Sequence, residues 1–331
     1  MSPKPPLIIP RPKPKRLPKG KPVTVCIAAI ANYDNAIVCC ADTLISDALG
    51  SHDPLVGKIS TCRGWMALAA GTMDQTESLL AAVREQQPDG NEPQTIYDGL
   101  ESAVNSELVR LAAARYLSPY GITMQQFLSE GSTYFTDEIR SELARKIADH
   151  ADNYDAELIF AGWGAKAQEH ENGKATIFGL SRDGVSRHSD ASFYAIGSGA
   201  TAAYSMLSYL HCRRSMTLLE IIYRVVGAKV AAERVPGVGE NTLMWIATKK
   251  HGDNESMGFI VQPSEIHEIK ELWEKRSAPR VDDQIEGYMV DILKKHFPSG
   301  VPMTTVGAFT KLKRDMKKSR RLASQTSEDQ Q

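Results

Sequence analysis

Four residues near the start of the chain have types that suit acyl-transfer chemistry. Thr24 and Cys26 each carry a nucleophilic atom, Asp42 carries a carboxylate and Lys58 an ammonium group. A hydroxyl or thiol becomes a nucleophile when a neighbouring cation lowers the barrier to losing its proton. A carboxylate beside that cation keeps it charged and aimed. Asp42 ends one short apolar run and Lys58 begins another, sixteen residues on. Strand ends at that spacing can be brought against the start of the first strand. On spacing alone, an ordinary strand-end ion pair explains Asp42 and Lys58 equally well.

The elements that must position these residues follow from periodicity. Val23–Ala31 and Ala36–Asp42 are β-type runs around Asn32-Tyr33-Asp34-Asn35. Asn and Asp tolerate left-handed turn positions, so the pair reads as a hairpin. Lys58–Cys62 and Trp65–Ala70 read as a second pair of strands. Apolar residues at helical spacing predict helices over Met73–Gln86, Pro93–Tyr116 and Met124–Ala151. Strands are expected at Ala156–Gly162, Ala175–Ser181, Ser192–Ile196 and Asn241–Lys249. Between them, helices are expected over Ala200–His211 and Leu218–Arg234, with Thr217 as N-cap. Strands, helices, strands, helices and a strand in that order argue an α+β domain rather than alternating βαβ units.

Several strings together resemble the proteasome β-subunit family of N-terminal-nucleophile (Ntn) hydrolases. They are Thr24-Val25-Cys26-Ile27, Ala41-Asp42-Thr43, Gly57-Lys58-Ile59, Ala67-Leu68-Ala69-Ala70-Gly71, Ala195-Ile196-Gly197-Ser198-Gly199 and Met216-Thr217-Leu218. Each string is weak alone. Their joint order, with the Asp42-to-Lys58 interval, is more specific and spans Thr24 to Lys250. The resemblance implies a four-layer αββα sandwich. It carries a helical insertion at about 93–151 and a helical C-terminal appendage, so that residues 23–250 form the domain and 251–331 follow it.

The resemblance also implies roles. A threonine that becomes the mature N-terminus is the nucleophile, and its free α-amine is the general base, suited by an ordinary pKa near 8. Asp42 orients Lys58, Lys58 tunes the hydroxyl, and Ser198 supports the nucleophile. The oxyanion amide falls at Ala70 or Gly71, where backbone N–H groups make residue type secondary. The expected activity is a threonine-type peptidase that self-assembles into a homo-oligomeric ring or spiral and takes peptides or unfolded protein.

The nucleophile itself stays open between Thr24 and Cys26. A two-residue turn at Asp34-Asn35 pairs positions whose numbers sum to 69, which puts Cys26 in the nucleophile's place. A four-residue turn over Asn32–Asn35 pairs positions summing to 67, which puts Thr24 there. Both leave the side chain on one face, because the shift is two residues. The Thr-Val-Cys-Ile string favours Thr24. Cys26 otherwise reads as a strand thiol packed as a small hydrophobe.

Chemistry by the Thr24 amine requires removal of the 23 preceding residues. Attack of the Thr24 hydroxyl on the Val23 carbonyl is the expected route, at a position where the family carries Gly. Val235 and Val238 stand where the family has an Asp and a Ser, with Glu233 and Glu240 nearby as substitutes. These departures keep two alternatives in play: a catalytically inactive scaffold subunit and a Cys26-nucleophile amidase.

Bulk composition bounds the rest. The chain has 331 residues, 42% hydrophobic and 24% charged, which is ordinary for a globular protein. No apolar run is long enough to cross a bilayer and the N-terminus lacks a secretory core segment, so no membrane partner is expected. Five cysteines argue against a disulfide framework and for a reducing cytoplasm. Residues 1–22 hold seven Lys/Arg and eight Pro, and 311–321 hold seven Lys/Arg against Asp315 alone. Both ends read as disordered basic tails. No aromatic residues interleave with their charges, so nucleic acid is not expected as a partner. His170, His188 and His211 show no paired metal spacing, and Gly237-Val238-Gly239 lacks the third glycine of a nucleotide loop. No cofactor or metal is expected. A separate ATPase partner is compatible with a chain that shows no nucleotide site of its own.

Overall fold

The computed structural model describes residues 24–43, 45–47, 50–52, 58–86, 92–164, 173–188, 190–249, 256–276 and 283–296. The two basic ends and Val23 lie outside these residues. The strands are β1 (Cys26–Ala31), β2 (Ala36–Asp42), β3 (Ile45–Asp47), β4 (Gly50–His52), β5 (Ile59–Cys62), β6 (Trp65–Ala70), β7 (Glu157–Trp163), β8 (Ala175–Ser181), β9 (Gly184–Arg187), β10 (Phe193–Ile196), β11 (Thr242–Lys249) and β12 (Ser256–Val261). The helices are α1 (Met73–Gln86), α2 (Pro93–Tyr116), α3 (Met124–Tyr134), α4 (Asp137–Asp152), α5 (Ala200–Tyr209), α6 (Leu218–Ala232), α7 (Pro263–Arg276) and α8 (Asp283–His296).

Two five-stranded antiparallel sheets carry the fold. The first runs β10-β1-β2-β11-β12 and the second β5-β6-β7-β8-β9, while β3 and β4 form a separate small hairpin. The central strands of the two sheets alternate between two apolar surroundings, as period-two side chains must. Val25, just before β1, and Ile27, Val38 and Cys40 on β1 and β2 join a cluster with the α6 residues Ile221, Ile222 and Val225. Their neighbours Cys26, Ala28, Ile37 and Cys39 join a second cluster with Met66, Leu68, Ile159 and Ile177 of the other sheet. The opposite faces of β6, β7 and β8 place Trp65, Phe160 and Phe178 with Leu79 of α1 and Ile96 and Leu100 of α2. Trp65 stacks on Phe160 at 5.2 Å. β1 and β2 are buried along their whole length, which explains why they read as continuous apolar runs rather than half-polar strands.

Thr217 caps α6 as expected. Its Oγ1 accepts from the Glu220 N–H at 3.3 Å, and the Glu220 carboxylate accepts from the Thr217 N–H at 3.0 Å, a reciprocal capping box. The structure differs from the sequence reading elsewhere. The single helix expected over Met124–Ala151 is two, broken at Phe135, whose backbone is extended. Within the stretch expected as an insertion, α2 belongs to the sheet-covering core. Leu117, Ile122, Phe127 and Leu143 form a small cluster of their own. Beyond residue 250, β12 pairs with β11 as the fifth strand of the first sheet. Ile266, Ile269 and Trp273 of α7 and Met289, Ile292 and Leu293 of α8 enter the same apolar cluster as α6. The described part of the expected appendage is therefore packed into the domain core.

Candidate active site

The β1–β2 ladder decides what stands beside Asp42. Cys26 pairs with Ala41 and Ala31 with Ala36, so paired positions sum to 67, the register of the four-residue turn. Asp42 lies opposite Val25, and its N–H donates to the Val25 carbonyl at 3.1 Å. The turn needs Asn32, Tyr33 and Asp34 all at positive φ, 52°, 51° and 72°. Tertiary bonds hold it there. The Tyr33 N–H donates to Arg214 O at 2.8 Å, the Asn32 N–H to Met216 O at 2.7 Å and the Trp163 indole N–H to Asp34 O at 2.5 Å.

At the other end of this hairpin, the Thr24 hydroxyl donates to Asp42 Oδ1 and accepts from Lys58 Nζ. Lys58 Nζ is 2.9 Å from the same Asp42 oxygen, and the Val25 N–H donates to it at 2.9 Å. Asp42 is fully buried and Lys58 nearly so, with 12% of its side chain exposed. Burial of that carboxylate is tolerable because a cation and several donors satisfy it. The first sheet supplies Thr24 and Asp42. Lys58 comes from the start of β5 in the second sheet, where its carbonyl accepts from the Ala69 N–H at 2.9 Å. The three side chains thus meet where the two sheets face each other at their ends.

The Gly197-Ser198-Gly199 turn between β10 and α5 wraps the Thr24 backbone. The Thr24 N–H donates to Ser198 Oγ at 3.0 Å, and the Gly199 N–H donates to Thr24 O at 3.0 Å. Ser198 Oγ also lies 3.3 Å from Thr24 O. Gly197 has φ of +87°, and a Cβ there would stand 2.5 Å from Thr24 O and 2.8 Å from Thr24 Cγ2. Only glycine combines that backbone with that approach. The Gly197 N–H is in turn held by Glu157 Oε2 at 2.8 Å.

Ala70 ends β6, and Gly71 follows it at φ +110°. A Cβ on Gly71 would fall 2.2 Å from Asp155 O, so this residue must also be glycine. Cys26 donates its thiol to Ala69 O at 3.2 Å, within the cluster between the sheets. Burial pushes its pKa well above the ordinary cysteine value, against the lowering effect of Lys58. The register that would set Cys26 beside Asp42 is not the one formed.

Three site residues escaped the sequence reading. Gly239 donates its N–H to Asp42 Oδ2 at 3.2 Å, from the loop before β11. Its own carbonyl accepts from Lys229 Nζ at 2.7 Å. Glu157 anchors the Ser198 turn. Lys229 carried a usable signal: it is a cation flanked by Ala and Val in the strongly apolar α6, four residues before Glu233. Glu233, weighed as a substitute support, reaches the site through Lys229 rather than directly, at 2.7 Å. Glu240 is exposed. Among the described residues no group of three or more His, Cys, Asp and Glu side chains is placed to hold a metal ion. Among them no helix is long and apolar enough to cross a membrane. His170 lies outside the described residues.

The arrangement can do one kind of chemistry directly. A hydroxyl held between a carboxylate and an ammonium, with its own backbone nitrogen presented to a serine hydroxyl, is poised for nucleophilic attack on a carbonyl.

No family model matches the chain, and no curated protein matches it. Among solved structures it is similar to an Anbu (Gly-1) mutant from Hyphomicrobium sp. strain MC1. That likeness has 13% identity and a TM-score of 0.46, and covers 76% of this chain and 95% of that one. It is also similar to Anbu, described as an ancestral beta-subunit, from Yersinia bercovieri. There the identity is 12% and the TM-score 0.44, over 76% of this chain and 94% of that one.

Proposed function

We propose that the chain is a threonine-type amidohydrolase of the Ntn class, acting on peptide bonds with Thr24 as nucleophile. One observation carries this reading: the Thr24 hydroxyl bridges Asp42 and Lys58 while the Thr24 nitrogen faces Ser198. The three apolar clusters, one between the sheets and one on the outer face of each, support the four-layer αββα arrangement.

The first reaction is on the chain itself. Thr24 Oγ1 attacks the Val23 carbonyl carbon as Asp42 accepts its proton. The C–N bond breaks, the nitrogen takes the proton, and an ester replaces the amide. Water hydrolyses that ester, releasing residues 1–23 with a terminal carboxylate and leaving a free amine on Thr24. In the mature enzyme this amine takes the hydroxyl proton during attack on a substrate carbonyl and passes it to the leaving amine. Lys58 stabilises the oxygen as it loses its proton, Asp42 keeps Lys58 aimed, and Ser198 orients the nitrogen. The N–H groups of Ala70 and Gly71 are assigned to the oxyanion. Water then cleaves the acyl ester. By the resemblance of its sequence strings to the proteasome β-subunit family, the subunit assembles into a homo-oligomeric ring or spiral that admits unfolded or short peptides. The five cysteines, free and buried, fit a reducing compartment.

A second reading, an inactive scaffold of this fold, is favoured by one observation. Val238 is buried against the apolar cluster of α6, at the position where the resembled family carries a supporting serine. Labelling with an electrophilic acylating probe, followed by peptide mass mapping, separates the two. A mass increment on Thr24 that vanishes in Thr24→Ala supports the hydrolase. An unlabelled Thr24 in a chain that keeps residues 1–23 supports the scaffold.

A further inference from the structure

Lys229 is 1% exposed in a helix where twelve of fifteen residues are buried. Burying an ammonium costs several kcal/mol unless it is paired and hydrogen-bonded, so its partners say what it is for. Nζ donates to Glu233 Oε1 at 2.7 Å and to the Gly239 carbonyl at 2.7 Å. The other Glu233 oxygen accepts from Lys270 of α7 at 2.5 Å. Gly239 is therefore held at both polar groups, its carbonyl by Lys229 and its N–H by Asp42 Oδ2 at 3.2 Å. Asp42 Oδ1 is occupied by Thr24, Val25 and Lys58. A carboxylate bound at one oxygen can still rotate about that contact. Bonding at the second oxygen fixes its plane.

We infer that Lys229 is a positioning residue for Asp42. It acts through Gly239, and Glu233 and Lys270 extend the link to α7. A surface-type i,i+4 ion pair contributes little and needs no burial. This pair is buried and its cation ends on Gly239, whose N–H binds the far side of the Asp42 carboxylate. The consequence for activity rests on the reading of Thr24 as nucleophile. The geometric link does not.

The test uses the full chain as Lys229→Met, and as Lys229→Met/Glu233→Met, which removes both buried charges together and so spares the fold. Amide hydrogen exchange is followed at Gly239, at Val25 and at Ile30, whose N–H bonds Ser192 at 2.7 Å, remote from the link. Loss of the Lys229 bond is expected to speed exchange about five- to ten-fold at both Gly239 and Val25 and leave Ile30 unchanged. Acceleration at Gly239 alone, or equally at all three, overturns the inference, because Lys229 then orders only its own loop or only the fold. In parallel, the rate of Thr24 labelling by the acylating probe is expected to fall several-fold in both variants. A wild type that is never labelled defeats the proposed function, while the exchange pattern still decides the role of Lys229.

Discussion

Asp42 faces Val25 across the first hairpin, and this single register puts Thr24, not Cys26, against the Asp42 carboxylate and the Lys58 ammonium. A shift of two residues would keep every apolar side chain on its present face and exchange the nucleophile. The choice was made at the far end of the hairpin, by the four-residue turn and the bonds that Arg214, Met216 and Trp163 make to it.

Removal of Lys58 leaves Asp42 buried with N–H and O–H donors but no cation. Lys58→Met is expected to destabilise the chain by about 3 kcal/mol, measured by urea unfolding. Thr24 labelling should slow by roughly 10²-fold or more, since an activated nucleophile loses its charge partner. Unchanged stability and labelling in Lys58→Met would contradict the site as described.

Gly197→Ala tests the turn that wraps Thr24. The added Cβ meets Thr24 O at 2.5 Å, in a backbone conformation that L-residues avoid at about 1–2 kcal/mol. The expected loss is at least about 2 kcal/mol of stability by thermal or urea unfolding. The Ser198-to-Thr24 bond should go with it, so processing after Val23 should slow beyond what Ser198→Ala alone causes. Gly184→Ala makes a control, since its Cβ would meet nothing within 4 Å at a similar φ of +109°.

Cys26 should be chemically silent in the folded chain. Burial raises its pKa, so the thiolate is the disfavoured form at neutral pH. The folded pKa lies above the unfolded one, so the thiol loses its proton more readily once unfolded. Iodoacetamide labelling of Cys26 between pH 7 and 9 is expected only after denaturation. Cys26→Ala should keep Thr24 labelling while costing about 1 kcal/mol of packing. Rapid alkylation in the native state, or loss of activity in Cys26→Ala, would restore the thiol as a candidate.

Much of this arrangement was legible in the sequence. The strands Ala36–Asp42, Trp65–Ala70 and Ala175–Ser181 and the helices Met73–Gln86 and Pro93–Tyr116 have the boundaries that the sequence predicts, because short apolar runs and 3.6-period patterns there are bounded by turn residues. Asp42, Lys58 and Ser198 were visible as strings in order. The register was not, because three consecutive left-handed residues including Tyr33 are set by tertiary bonds that no local pattern encodes. Strand β12 pairs with its chain neighbour β11 and was missed because the expected domain ended at Lys250, before it. The half of the site that binds Asp42 Oδ2 was missed for a different reason. Gly239 acts through its backbone, and Lys229 with Glu233 has the spacing of an ordinary solvent-facing pair.

The most direct test of Thr24 as an N-terminal nucleophile is the intact mass and N-terminal sequence of the purified chain, beside Thr24→Ala. The account predicts that the wild type loses residues 1–23 and begins at Thr24, while Thr24→Ala keeps the full 36.4 kDa. A wild-type chain that stays at 36.4 kDa under every condition would contradict it, because the Thr24 nitrogen would then remain an amide and could not act as the base.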